Sequence, residues 1–244
     1  MRLDLYLAPH LGSRTRAADA IKAGRVSVNG KAVSRPAFEV SETDEIRVQE
    51  AEHDYVSRAG GKLLAAIDAF DIDCKDRTVL DIGASTGGFT QCVLEHGAKR
   101  VYALDVGHLQ LSPSLKEDPR VIEMEGVNAR TIQKDWFDEP VDFVVMDVSF
   151  ISALSILEPL FAQFVPEEMV VLVKPQFECS KSALNKKGVI RNKKDEQRAL
   201  EKVSGFLKTR YDRVRSIPSP VIGRSGNQEY LVYAGKRKQE GEHG

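Results

Sequence analysis

Three cysteines in 244 residues, Cys74, Cys92 and Cys179, are too few and too scattered for a disulfide framework or for metal-ligand pairs. They fit a reducing compartment, and no metal centre is expected. Long apolar runs are missing too: no stretch approaches the roughly 20 residues that a membrane-spanning helix needs. Arg2 and Asp4 stand where the apolar core of a secretory leader would lie, so a cytoplasmic protein without membrane partners is expected. There is no excess of positive charge. Thirty-five basic side chains face 36 acidic ones, for a net charge of −1, which excludes a global field that gathers polyanions. The local balance differs. Residues 1–35 hold seven basic side chains and two acidic ones, whereas residues 36–56 hold one and seven.

What is present is organised around residues 78–90, TVLDIGASTGGFT. A short apolar run stops at Asp81, a turn with Gly83, Gly87 and Gly88 follows, and residues 89–94 have the pattern of an amphipathic helix. Strand, glycine turn and helix together form the opening βα unit of a nucleotide-binding α/β sheet. Glycines admit close backbone approach, and a helix N-terminus offers free N–H groups. Further strand-like runs lie at 101–106, 121–124, 141–148 and 169–173, mostly separated by helical segments, as in a parallel sheet. A helix over 58–70 precedes the unit, with Leu63, Leu64, Ile67 and Phe70 on one stripe and Lys62 off it. Residues 214–217 and 229–233 are expected to form a final pair of strands.

Three chemistries compete for the glycine turn. Residues 83–87 match the G-x-S-x-G elbow of hydrolases, but that chemistry needs a late histidine, and only His243 follows His108. The dinucleotide fingerprint needs a glycine where Ser85 stands. The third pattern, D-x-G-x-x-x-G-G-F-T, resembles the first motif of class I methyltransferases. That resemblance implies S-adenosylmethionine, with Asp81, Gly83, Ser85, Gly87, Gly88 and Phe89 around it. Asp105, about 22 residues after Gly83, is placed to accept from ribose hydroxyls. Asn128 is open to two readings, as a contact to the adenine end or as an ordinary turn residue.

The first 52 residues form a module of their own. Two short helices, the second capped by Ser13 and closed by Gly24, lead into a hairpin whose turn is Asn29-Gly30. RLDLYL followed by SRTRAADAIKAGRVSVNGKAV resembles the alpha-L RNA-binding module named after small-subunit ribosomal protein "S-four". The resemblance implies phosphate contacts from Arg14, Arg16, Lys22, Arg25 and Lys31, although any one of them can equally be a solvated basic side chain.

Asp147 and Lys174 directly follow the apolar runs VDFVVM and VVLV, where an ionisable group is costly to bury unpaired. Both should emerge at the carboxyl edge of the sheet. Lys62, Asp147, Lys174 and Glu229 match, in order and context, the Lys-Asp-Lys-Glu tetrad of FtsJ-like ribose 2′-O-methyltransferases. A ribose hydroxyl is a poor nucleophile until its proton is removed. Lys174 is expected to take that proton, with Lys62 as a neighbouring cation and the two acids orienting the lysines. SRAGGKL, DIGASTGGFTQC, DVSFIS and LVKPQFE make the whole chain resemble the TlyA (haemolysin A) family, with Gln91 in place of an expected Asp. The resemblance implies a Rossmann-like, mostly parallel seven-stranded sheet with an antiparallel last strand, behind a small α+β RNA-binding domain. It also implies 2′-O-methylation of cytidine in ribosomal RNA, with ribosomal subunits as partners. The expected layout is an RNA-binding domain over 1–52, a linker over 53–57, the methyltransferase domain over 58–235 and a disordered tail over 236–244. The basic run 181–198 is open to reading as an RNA contact or as a solvated charge run. Two rival functions are a membrane-lysing protein and a non-catalytic ribosome-associated factor. The first lacks supporting apolar segments, and the intact tetrad disfavours the second.

Overall fold

A computed structural model describes residues 1–49, 55–223 and 225–238. The chain divides into two compact units, Met1–Asp54 and Tyr55–Gly244.

In the first unit, α1 (Leu3–Leu7) and α2 (Arg14–Lys22) pack on a three-stranded antiparallel sheet of β1 (Val26–Val28), β2 (Lys31–Ala32) and β3 (Ile46–Val48). Ser13 Oγ accepts from Arg16 N at the start of α2, and Gly24 takes a positive φ of 73° just beyond its end. Asn29 (φ 51°) and Gly30 (φ 76°) turn the hairpin with the twist that two left-handed residues supply. Leu3, Leu7, Ala17, Ile21, Val26 and Val28 close a small core.

The second unit opens with α3 (Arg58–Phe70), β4 (Thr78–Ile82), α4 (Gly88–Glu95), β5 (Arg100–Asp105), α5 (Pro113–Lys116), β6 (Val121–Glu125) and β7 (Phe143–Met146). It continues with α6 (Leu154–Gln163), β8 (Glu168–Val173), α7 (Pro175–Glu178), α8 (Lys193–Leu207), β9 (Tyr211–Pro218) and β10 (Tyr230–Arg237). The seven strands run in the order β6-β5-β4-β7-β8-β10-β9, all parallel through β8, with β10 antiparallel to both of its neighbours. Strand side chains alternate between faces. Val79, Val145 and Leu172 join α3 and α4 in one apolar layer, and Leu80, Met146 and Val171 join α6 and α8 in the other. Both faces are covered, which explains why the strands are continuous apolar runs.

Several boundaries differ from the sequence expectation. Tyr55, Val56 and Ser57, assigned to the linker, belong to the second unit. Tyr55 is buried, Val56 N donates to Gln91 Oε1 at 2.7 Å, and Ser57 caps α3. Gln91 also donates through Nε2 to Glu95, a double role that an aspartate could not fill. Lys236 and Arg237, assigned to the tail, extend β10, while 239–244 and linker positions 53 and 54 lie outside the described residues. On α3 the buried stripe is Leu63, Ala66, Ile67 and Phe70, with Lys62 beside it, and Leu64 is only half-buried.

Candidate active site

The carboxyl edge of the sheet gathers most of the residues singled out by sequence. Asp147 and Lys174 follow β7 and β8 immediately, and Lys174 Nζ lies 2.5 Å from Asp147 Oδ1 and donates to Ser149 Oγ at 2.6 Å. Glu229 precedes β10, whose Tyr230 pairs with Val173, so the antiparallel register brings Glu229 beside Lys174. Lys62 Nζ, reaching down from α3, donates to Glu229 Oε2 at 2.5 Å. Both members of that pair are buried, Lys62 at 9 % and Glu229 at 4 % exposure. Each lysine is therefore held by its own carboxylate, one pair joining the ends of β7 and β8 and the other joining α3 to the start of β10. Burial of such charges is tolerated because they are paired. Lys62, off the apolar stripe read from α3, is nonetheless buried through this pairing.

Asp81, the penultimate residue of β4, is fully buried. Its Oδ2 accepts from Thr90 Oγ1 at 2.7 Å, whereas Oδ1 has no hydrogen-bond partner. Burial pushes this carboxyl up from an ordinary 3.8 to about 7, against the hydrogen bond from Thr90 and with the like charges of Asp147 and Asp105 adding to the rise. Asp105, at the end of β5, accepts from Ser85 N at 2.8 Å and Gly107 N at 2.7 Å, which ties the glycine turn to the next loop.

The glycines of the turn make room for protein rather than open space. A Cβ on Gly83 (φ 86°) would stand 2.4 Å from the Asp147 carbonyl oxygen, and one on Gly88 would stand 2.3 Å from Ser57 Oγ. A Cβ on Gly87 (φ 96°) would meet Leu115. Phe89, expected near the cofactor, is a core side chain at 2 % exposure, and the exposed part of the turn is Ser85 and Thr86. Asn128 caps a short helical turn by accepting from Arg130 N through Oδ1 at 3.0 Å.

Four residues were not singled out by sequence. Glu125, ending β6, accepts from the backbone N–H groups of Leu111, Gln110 and Leu109, which lower its carboxyl to about 2 and order the loop after β5. Glu178 accepts from Ala153 N and Ser152 Oγ, both at 2.5 Å, and so pins the start of α6 to α7. Ser149 holds Lys174. Phe150, next to it, is 87 % exposed with a φ of 69°, and its ring lies 5.3 Å from that of Phe177. A bulky residue in that backbone region is strained, and an exposed ring at a site edge offers a stacking surface. In the first unit, Arg14, Lys22 and Lys31 are exposed, Arg16 and Arg25 half-buried, and Arg14 donates to the buried carboxylate of Asp4 at 3.0 Å.

Residues 55–236 match the FtsJ-like methyltransferase family. The chain belongs to that family. Residues 1–46 of this FtsJ-like methyltransferase match the S4 domain. It is 44 % identical over 238 residues to "Hemolysin A" of Brachyspira hyodysenteriae, covering 96 % of this chain and 99 % of the relative. It is 40 % identical over 224 residues to "16S/23S rRNA (cytidine-2'-O)-methyltransferase TlyA" of Mycobacterium tuberculosis, covering 91 % and 84 %. A solved structure from Streptococcus thermophilus superposes with a TM-score of 0.74 at 34 % identity, covering 98 % of this chain and 89 % of that one. The FtsJ-like methyltransferase uses S-adenosylmethionine as its cofactor. The site fits that molecule: the partnerless, buried Oδ1 of Asp81 suits its ammonium group, and carboxylates lie at the carboxyl ends of both β4 and β5. Among the described residues no helix is long and apolar enough to cross a membrane.

Proposed function

We propose that the enzyme methylates the 2′-hydroxyl of a cytidine in ribosomal RNA and that it works in the cytoplasm. The observation that carries this reading is the convergence of Lys62, Asp147, Lys174 and Glu229 into two ion pairs at the carboxyl edge of the sheet. The S4 match and the name of the M. tuberculosis relative support RNA, and cytidine in particular, as the substrate.

Asp81, Asp105 and the exposed face of residues 85–86 would hold S-adenosylmethionine. When bound, this cofactor supplies a methyl group on a sulfonium centre. Lys174 takes the hydroxyl proton on Nζ while the 2′-oxygen accepts the methyl group in line. Ser149 and Asp147 fix the direction from which Nζ approaches, and the Lys62–Glu229 pair borders the site from α3 and the start of β10. Alignment of the hydroxyl with the methyl group accounts for much of the acceleration. The exposed ring of Phe150 gives the target base a surface to stack on. Arg14, Arg16, Lys22, Arg25 and Lys31 of the first unit contact phosphates of the folded RNA.

The test is methyl-labelled S-adenosylmethionine with unmodified small and large ribosomal subunits, followed by nucleoside mass spectrometry. The expected result is label in 2′-O-methylcytidine, with at least about a hundredfold loss of rate in Lys174→Ala. Near-normal transfer by that variant would remove Lys174 from the role of base. Cofactor binding without label in either subunit would remove the substrate assignment.

A further inference from the structure

The segment between α7 and α8 carries cations for which the reaction at Lys174 has no use. Residues 184–190 form a small, well-braced loop. Leu184 bridges Ile190 in antiparallel fashion, Asn185 N donates to Val189 O at 2.8 Å, and Gly188 N donates to Asn185 O at 2.9 Å. Asn185 Oδ1 accepts from the N–H groups of Lys187 and Val189 at 2.8 and 3.0 Å. Gly188 turns the chain at a φ of 74° with open space where a side chain would begin. Lys186 and Lys187 stand exposed in this loop, flanked by exposed Lys181, Arg191, Lys193 and Lys194.

None of these six cations has an acidic partner among the described residues. The two acids of the run are engaged elsewhere: Asp195 with Asn192 and Arg198, and Glu196 with the hydroxyl of Tyr230. Lys193 and Lys194 moreover open α8, where the positive end of the helix dipole disfavours cations. The result is a patch of unneutralised positive charge on a fixed scaffold, in a chain whose net charge is −1.

The loop is fastened to the active site. Asn227, 3 % exposed, accepts from Ile190 N through Oδ1 at 2.9 Å and donates from Nδ2 to Gly188 O at 2.9 Å. Its place in the chain is two residues before Glu229, at most about 7 Å of backbone away. Tyr230, directly after Glu229, reaches α8 through Glu196. The buried member of the Lys62 ion pair thus lies between two ties to the basic segment. An apolar side chain at 227 would leave the Ile190 N–H and the Gly188 carbonyl unpaired.

We propose that residues 184–194 are a contact of the methyltransferase unit with the RNA backbone, and that Asn227 is the positioning residue that fixes this contact against Glu229. The proposal rests on ribosomal RNA being the substrate. Counterions released from each neutralised phosphate give such a contact a defined salt dependence.

The experiment measures methylation of ribosomal subunits at several salt concentrations by the full chain and by two variants. The first carries Lys186→Gln together with Lys187→Gln. Its KM for RNA should rise about tenfold, and the slope of log KM against log salt should fall by about 1.5–2. The Kd for S-adenosylmethionine should stay as in the wild type. The second, Asn227→Ala, should raise KM for RNA several-fold and speed amide exchange over 184–190. Wild-type KM and salt slope in the lysine variant would overturn the contact surface. Wild-type KM in Asn227→Ala, with only stability lowered, would overturn the positioning role. No label from the wild-type enzyme in any ribosomal RNA would instead sink the substrate reading, and this proposal with it.

Discussion

Asp81 has two carboxylate oxygens and one hydrogen-bond partner, Thr90, in a position fully removed from water. Its carboxyl, raised to about 7, keeps a proton in the free protein that the unfolded chain has already lost above about pH 4. The folded state therefore binds more protons between those values, and the stability that this group contributes is lost as pH rises through about 7. The urea midpoint of the free wild type should fall, relative to that of Asp81→Asn, as pH rises from about 4 to about 7, and level off above that. A bound cation favours the carboxylate, so cofactor binding releases a proton. Calorimetry with S-adenosylmethionine should show tighter binding at pH 8 than at pH 6, and a weaker, flatter profile in Asp81→Asn. Equal affinities at both pH values in the wild type would remove Asp81 from contact with the ammonium group. Gly83 decides a second outcome at this scale. Gly83→Ala combines a φ of 86° with a Cβ 2.4 Å from the Asp147 carbonyl oxygen. It should cost about 1–3 kcal/mol in urea unfolding and lower kcat by displacing Asp147.

Elements meet at this site through the loops between them. The loop after β7 and the short helix α7 after β8 are joined by Lys174 to Asp147 and Ser149, by Glu178 to Ser152 and Ala153, and by the Phe150 and Phe177 rings. Glu178→Ala leaves the N-terminal N–H of Ala153 without its acceptor. The variant should lose about 1–3 kcal/mol of stability, and its kcat should fall while Kd for the cofactor holds, because β4 and β5 are untouched. A fall in cofactor affinity equal to that in kcat would contradict the separation of these two halves of the edge. Helices α3 and α4 approach where Gly88 faces Ser57 and Gly60, and where Gly60 itself leaves room for the Tyr55 ring. Much of SRAGGKL and GASTGGFT is thus a packing pattern that brings Lys62 to the sheet.

At the scale of the molecule, each compact unit closes its own core, with α1, α2 and three strands in one and the seven-stranded sheet in the other. Every residue proposed for catalysis or for holding the cofactor belongs to the second. A chain of residues 55–244 should therefore bind S-adenosylmethionine as tightly as the full chain, while its KM for ribosomal subunits should rise more than tenfold, since the phosphate contacts proposed for Arg14, Lys22 and Lys31 would be gone. Calorimetry and the methylation assay read the two quantities separately. Equal KM values for both chains would exclude the first unit from RNA docking.

Local pattern was enough for what depends on neighbours in sequence. The Asn29-Gly30 hairpin, the Ser13 cap, the β4–α4 glycine unit and the strand ends at Asp147 and Lys174 were legible because turn chemistry and apolar periodicity act within a few residues. The resemblance added which four side chains to follow. Tertiary structure decided what they do to one another. Lys62 lies off the stripe read from α3, and its burial comes from Glu229, 167 residues further on. The pairing of Glu229 with the Lys174 edge comes from the antiparallel register of β10 on β8. The same holds for Glu178, Glu125 and Asn227, ordinary polar letters whose partners are backbone groups of other segments. Phe89 was read toward the cofactor and its side chain lies in the core, and the turn glycines turn their Cβ positions toward protein, because a sequence names side chains but not the surfaces they face. Periodicity fixes which residues can form a strand or helix; only the closure of the sheet brings distant charges to within 2.5 Å.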